Sequence, residues 1–343
     1  MSSKSFFKEI EHHFHNKFPL VVFRHPNQNK LTAFLDLGTS IKSNEKFIVS
    51  PFDSSMYFSI NSHKILYLDL NSEIVTSKSE EIEWLDLENK QKEHTDLIIK
   101  ALSSIQESPL KKVVLATSLK YNGAVHSPLS YFQRILAQYT NTFNYLLFHP
   151  DYGVWMGATP ERLITMSGYR LQTMALAGTR PYGSNEWGKK EKEEQEFVIR
   201  EIVNTLKQYT PHDFIKYSDV ETIRAGHLEH LRTKITAELS ISPIDAAHAL
   251  HPTPAVGGVP KKMALDFINL NEQFDRSLYS GFLGLVSPNK TSLYVNLRCM
   301  SIQDNMATVY VGGGITDKSD PNKEWQEVLQ KANTMGRILA SEQ

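Results

Sequence analysis

Two stretches of this chain carry glutamates three residues apart: Glu191 with Glu194, and Glu324 with Glu327. If each stretch is helical, positions i and i+3 share a face, so each pair aims two carboxylates at one point. Oxygen ligands of that kind suit hard divalent cations, and Mg²⁺ takes one or two protein carboxylates with water and substrate completing its shell. Two acidic helix faces meeting across a cleft would make such a site. The plainer reading is solvated surface, because KKEKEEQE is a mixed charge run. Measured against the apolar stripe Val198, Ile199, Ile202, Val203 and Leu206, Glu191 points inward while Glu194 and Glu196 fall on opposite flanks. Periodicity therefore does not choose between those two. In the other stretch, Glu327 and Lys331 are spaced as an ordinary i,i+4 ion pair.

The run MATVYV leads into Gly312, Gly313 and Gly314 and then to a predicted helix, capped by Ser319 or Asp320 with Pro321 in its first turn. Glycines allow close backbone approach, and a helix N-terminus favours an anion. GGGITDKS departs from the phosphate-loop pattern where Asp317 replaces glycine, so the expected anion is smaller, such as a carboxylate. Read as one strand, SLYVNLRCMSI puts Tyr294, Asn296, Arg298 and Met300 on one face. Arg298 then leaves the apolar side, either to grip a carboxylate with its fork or simply to meet solvent. Lys111 and Lys112 precede VVLA. Neighbouring strand residues face opposite ways, so one lysine is predicted inward, where desolvation makes it a usable general base. Glu161, in GATPERL, sits at a tight strand connection, as a general acid at a cleft or as surface decoration. His12, His13 and His15, or His227 and His230, match no zinc signature.

These side chains need a frame. KKVVLATSLKY, FNYLLFH, GVWMGA, RLITM and RLQTMALAG are short β-rich runs with turn residues such as Ser167 and Gly168 between them. SLYVNLRCMSI and MATVYVGGG, joined by Gln303, Asp304 and Asn305, form a predicted hairpin. Helices are predicted over 6–18, 189–209, 260–270 and 321–339. Antiparallel strands with interspersed helices predict an α+β fold, not a parallel doubly wound sheet. The charge-rich stretch 77–100, with a predicted surface helix, is the one candidate boundary, a connector between 1–100 and 101–343. A formal net charge of -1 gives no bulk footprint for nucleic acid or an anionic membrane. With one cysteine, Cys299, the chain forms no internal disulfide and no cysteine zinc site. The first residues lack a signal-peptide core and no apolar run is long enough to span a bilayer, so a cytoplasmic setting is expected.

In order along the chain stand KVVLA at Lys112, GATPERL at Gly157, ALAGTRP at Ala175, EQEFV at Glu194 and HLEHLRT at His227. LHPTPAVGGVPK at Leu250, EQFDRSLYSGFLG at Glu272, LYVNLR at Leu293 and VGGGITDKSDPNKEWQEVLQKA at Val311 complete the series. Together they resemble the catalytic domain shared by isochorismate, anthranilate, aminodeoxychorismate and salicylate synthases. The resemblance covers 110–335 and is loose over the first hundred residues. It implies one large domain of two similar halves, mostly antiparallel sheets with outer helices, and the active site between them. It implies Lys112 as the base and Glu161 as the acid. Glu194 and Glu327 fall on the ligands of Mg²⁺, with Glu191 and Glu324 as supporting acids. Arg298, Tyr279, Lys331, His230 and the glycines Gly312, Gly313 and Gly314 fall around the substrate carboxylates, and Gly178 and Thr179 beside the ring.

Within that family the residues point to isochorismate synthase. Neutral Lys112 would activate a water against ring carbon 2 of chorismate, and protonated Glu161 would assist loss of the hydroxyl at carbon 4. That pairing requires the lysine pushed down and the glutamate pushed up. Ala177 stands where aminodeoxychorismate synthases carry a lysine nucleophile, which leaves water for the role. No glutaminase partner is expected, since no such domain is fused, and a monomer is the family expectation. One departure is Thr117, where the family's KVVLA is commonly followed by arginine. The alternatives are a salicylate synthase, a regulatory subunit that binds chorismate without turnover, and a carboxylate-binding module without metal. Menaquinone synthesis is preferred over siderophore synthesis as the pathway served.

Overall fold

Runs such as LVVFR and FNYLLFH bury almost every residue, as strands must when both of their faces are covered. The computed structural model describes the chain except for residues 40–42, 55, 71–81, 126, 185, 226–227 and 341–343. Among the described residues the strands form two sheets, of ten and nine strands, and the registered pairs are antiparallel.

In the first sheet the order is Gly258–Val259, Lys112–Ala124, Met306–Ile315, Cys299–Gln303, Gly153–Thr159, Phe143–His149, Leu20–Arg24, Lys30–Leu35 and Lys64–Asp69. Trp84–Leu85 pairs beside Lys112–Ala124. In the second the order is Lys216–Tyr217, Leu228–Glu238, Arg170–Pro181, Arg162–Ser167, Thr291–Val295, Phe282–Val286, Lys46–Ser50 and Phe58–Asn61. Glu221–Ala225 pairs beside Leu228–Glu238. The first hundred residues thus supply strands to both sheets, so the layers do not follow chain order.

The helices are α1 (Ser3–His15), α2 (Leu87–Glu107), α3 (Pro128–Gln138), α4 (Lys189–Leu206), α5 (Pro243–Leu250), α6 (Lys261–Asn271) and α7 (Pro321–Leu339). α2, α6 and α7 pack on the first sheet, while α4 and α5 pack on the second. Each buries one stripe: in α2 it is His94, Ile98, Ala101 and Ile105, at helical spacing. The expected start of α7 is borne out. Asp320 accepts a hydrogen bond from the Lys323 amide, and Pro321 needs no partner in the first turn. Of the charge-rich stretch, 77–81 lies outside the described residues and the helix begins at Leu87. None of the described helices is long and apolar enough to cross a membrane.

Two expectations need correction. SLYVNLRCMSI is not one strand: Thr291–Val295 belongs to the second sheet and Cys299–Gln303 to the first. Residues 296–298 carry the chain across. Buried Asn296 fixes the crossing, accepting from the Tyr145 hydroxyl at 2.6 Å and donating Nδ2 to the Leu278 carbonyl at 2.8 Å. Arg298 then takes a left-handed conformation, φ 49°. Alternation therefore stops at Val295, and Tyr294 and Met300 lie in different parts of the core. The hairpin through Gln303 forms as expected, but only from Cys299 onward. Likewise the three glycines are not a loop. They continue the strand Met306–Ile315, with Gly312, Gly313 and Gly314 opposite Ala116, Leu115 and Val114. On that side they pair in the ladder, while the strand on their other side is registered only as far as Tyr310.

Candidate active site

Strand Lys112–Ala124 places Lys111 in solvent and Lys112 wholly inside, as alternation requires. Lys112 Nζ lies 2.8 Å from Glu194 Oε1, on the first half of α4. Gly314 makes room for this pair: a Cβ there would stand 2.6 Å from Glu194 Oε1 and 2.9 Å from Lys112 Cε. The fold thus makes the choice that periodicity left open. Glu194 turns inward, and Glu196 is exposed. Burial pushes the Glu194 carboxyl up, but Lys112, with Lys331 and Lys190, outweighs it and holds the group below its ordinary 4.5.

Across the cavity between the sheets sits Glu161, 3% exposed. Its backbone is pinned where the second sheet meets the crossing, its carbonyl accepting from the Val295 amide at 3.0 Å. Burial pushes its carboxyl up to about 7, against the opposing pull of Lys112, a hydrogen bond from Thr253 at 3.4 Å, and Arg298. An acid of that strength is substantially protonated at neutral pH.

His230 lines the same cavity. Its Nδ1 is 2.9 Å from the Gly178 carbonyl and must carry the proton, which leaves Nε2 as an acceptor. Burial, then Arg298, pushes the ring down to about 3, so it is neutral. Nε2 is buried without a partner. A substrate hydroxyl would satisfy it. Gly178 has φ 65°, and a Cβ there would press on Glu191 at 3.1 Å. Thr179 lines the cavity beside it, 3.3 Å from His230 Nδ1.

The positive wall is Arg298 and Lys331. Burial pushes the Arg298 guanidinium down from its ordinary value, against Tyr279 and Glu327. Among the described residues it makes one long hydrogen bond, donating Nη1 to the Lys331 carbonyl at 3.4 Å. Lys331 Nζ donates to the Gly312 carbonyl at 3.0 Å and pairs with Glu327 at 2.7 Å. Tyr279 closes this side, its hydroxyl pushed by burial up to about 12 and so retaining its proton. Gly312 and Gly314 floor the cavity. Gly313, between them, faces away toward Glu324.

The remaining predicted acids stand behind the cavity. Glu324 is buried and hydrogen-bonded through Oε1 to Lys190, while its Oε2 is buried without a partner. Burial raises its carboxyl, with Glu327 pushing the same way and Lys190 opposing. As placed, no three acidic, histidine or cysteine side chains among the described residues converge closely enough to ligate an ion. The donor set nonetheless suits a hard cation, being oxygen only, with the orphaned Glu324 oxygen still to be satisfied. Of the two histidines His227 and His230, which match no zinc signature, His227 lies outside the described residues.

Sequence reasoning assigned no role to Glu272 and Arg276. This buried i,i+4 pair holds the strand that carries Lys112 in place: Glu272 accepts from the Ala116 amide at 2.8 Å, and Arg276 donates to the Val114 carbonyl at 2.7 Å. Arg276 also donates to Val256, which lines the cavity, at 3.0 Å. The only sequence signal was the spacing within EQFDR. Thr253, in LHPTPAVGG, was also passed over; polar residues in loops give no pattern that aims them.

Comparison with known proteins places this arrangement. The family described as "Chorismate binding enzyme" matches residues 56–340. Isochorismate synthase MenF of Escherichia coli (strain K12) is 31% identical over 263 residues, 72% of this chain and 60% of that protein. Isochorismate synthase MenF of Pasteurella multocida is 28% identical over 288 residues, 79% of this chain and 64% of that protein. This chain therefore spans only 60% and 64% of the length of those relatives. A solved structure described as a putative 2,3-dihydroxybenzoate-specific isochorismate synthase, DhbC from Bacillus anthracis, superposes with TM-score 0.81 at 21% identity, covering 97% of this chain and 100% of that one. MenF from Escherichia coli, described as menaquinone-specific, superposes at 0.80 with 22% identity over 94% and 89%. At such identities the likeness establishes the fold, one large α+β domain.

Proposed function

This chain belongs to the family of chorismate-binding enzymes, and from that premise we propose that it converts chorismate to isochorismate. The observation that carries the reading is Glu161, a buried carboxyl pushed up to about 7 in the same cavity whose floor hides Lys112. Water adds at ring carbon 2 and gives its proton to Lys112, which must first lose the ammonium proton that pairs it with Glu194. The ring double bonds shift, and the hydroxyl at carbon 4 leaves as water with the proton of Glu161. One water enters and one departs, so the ring system is isomerised without net hydration.

The walls support this assignment. Ala177 lines the cavity and offers no nucleophile, which leaves the attack to water. Arg298 and Lys331 supply positive charge for the side-chain carboxylate of a dianion, and His230 Nε2 accepts from a ring hydroxyl. Mg²⁺, held by Glu194 and Glu327 with Glu191 and Glu324 behind them, would neutralise the ring carboxylate. In the same reading the enzyme is a cytoplasmic monomer without a glutaminase subunit. The relatives named MenF support menaquinone synthesis as its pathway.

The test is incubation of purified protein with chorismate, with and without Mg²⁺, and separation of the products by chromatography. Isochorismate formed only with metal, and lost in Lys112→Ala, is the expected result. Salicylate with pyruvate would make the protein a salicylate synthase. Chorismate bound without turnover would leave a regulatory subunit.

A further inference from the structure

The acid cluster already contains a cation. Lys190 lies in the first turn of α4, where the helix dipole disfavours positive charge. Its ammonium nevertheless bonds Glu324, in the first turn of α7. Burial pushes the ammonium down, but Glu324, then Glu327 and Glu194, outweigh it and hold it above the usual lysine range. Three of these acids thus each have a lysine: Lys112 on Glu194, Lys331 on Glu327 and Lys190 on Glu324. Lys190 differs from the others in position. Its side chain is the most exposed of the three, at 24% against 14% for Lys331 and 0% for Lys112, and unlike Lys331 it does not line the cavity. It also satisfies only one oxygen of its partner, since Glu324 Oε2 remains without a donor.

We propose that Lys190 is a tethered counter-ion, holding Glu324 and its neighbouring acids together when no divalent cation is bound and swinging out when one binds. The inference rests on the reading of Glu194, Glu324 and Glu327 as a divalent-cation site. Its physical basis is that an ammonium and a dication repel each other within one acid cluster, while the flexible four-carbon stem at the helix rim lets the lysine leave. Lys190 then sets the metal affinity without touching substrate. It is a positioning residue.

The experiment titrates the full chain with Mn²⁺, following free Mn²⁺ by electron paramagnetic resonance, for wild type, Lys190→Met and Lys190→Arg. Lys190→Met is expected to bind Mn²⁺ about tenfold more tightly, because one partly exposed competing charge is gone. Lys190→Arg keeps the charge and stays within about twofold of wild type. Without metal, Lys190→Met melts lower than wild type, and saturating Mn²⁺ closes the gap. Equal affinity in Lys190→Met would overturn the proposal and make the pair purely structural. Weaker affinity would also overturn it, making Lys190 a support for the ion. Mn²⁺ bound by none of the three proteins would remove the metal reading itself, and this proposal with it. Should Lys190→Met fail to fold without metal, acetylation of Lys190 in the wild type decides by mass spectrometry. Faster labelling with Mg²⁺ is expected, and unchanged or slower labelling sinks the idea.

Discussion

The space between the two sheets is filled in opposite ways on its two flanks. On one flank, strands Leu20–Arg24, Phe143–His149 and Lys46–Ser50 meet through aromatic rings, with Phe143 stacked on Tyr294 at 4.1 Å and Phe23 against Phe47 at 5.4 Å. On the other, strands Lys112–Ala124, Met306–Ile315 and Arg170–Pro181 face each other across glycines, a lysine, two glutamates and a histidine. Aromatic contacts of the first kind hold layers together and leave no room for a ligand. The second flank keeps an orphaned His230 nitrogen and a protonatable Glu161 buried, both costly unless something binds there. The lesson is a separation of duties within one sandwich: the ring-filled flank fixes the spacing at which the polar flank can work.

Substitutions test that separation. Lys112→Ala and Glu161→Gln should each lower kcat by about 10²–10⁴-fold, the usual worth of a positioned acid or base, while the protein stays folded. Steady-state kinetics beside a melting curve checks both halves of the statement, and a loss of fold instead would erase the division. Phe143→Ala should do the reverse, costing about 3–5 kcal/mol of stability in urea with kcat largely kept in the fraction that remains folded.

A third effect links the flanks through pH. The Glu161 carboxyl sits at about 7 in the fold against an ordinary 4.5. A raised carboxyl contributes its stability fully below its unfolded value and loses it as pH rises through the folded one. Glu161→Gln should therefore be more stable than wild type above pH 7 by up to about 3 kcal/mol, with the advantage gone below about pH 4.5. In wild type, the same titration predicts that turnover falls as pH rises through about 7. Urea denaturation at several pH values checks the first statement, and a kcat profile the second. The smallest effect concerns Thr253. Its hydrogen bond holds the Glu161 carboxyl down, so Thr253→Val should move the alkaline limb of that profile upward by a fraction of a unit. A downward move would show that the hydroxyl serves something else.

How far these flanks could be read beforehand differs residue by residue. Strand alternation made it legible that one of Lys111 and Lys112 turns inward, and motif position named Lys112. The start of α7 was legible because Asp320 and Pro321 are local signals. Arg298 was expected in the site, but by a wrong route: the chain leaves one sheet for the other at Asn296, and no glycine or proline marks the change. The glycines were read as a loop, whereas they are strand residues whose missing side chains make room for Lys112, Glu194 and Tyr279, which only their neighbours reveal. Periodicity could not tell Glu194 from Glu196; motif position named Glu194, and Lys112 opposite it supplies the physical reason. Lys331 was legible as the i,i+4 partner of Glu327, whereas Lys190 on Glu324 was not, because those two are far apart in sequence. Motif order supplied the family, and local rules supplied some of the positions. The contacts across the layers had to come from the fold.

The crossing at residues 296–298 also has a mechanical meaning. Because the chain is stitched into one layer up to Val295 and into the other from Cys299, it leaves almost no slack between them. Cys299 sits at the exit of that stitch, fully buried, its thiol pushed up by burial and thus inert in the closed molecule. The chain's sole cysteine is therefore a built-in clock. The rate at which a thiol reagent finds it counts how often the layers part, at the very seam from which Arg298 reaches the cavity.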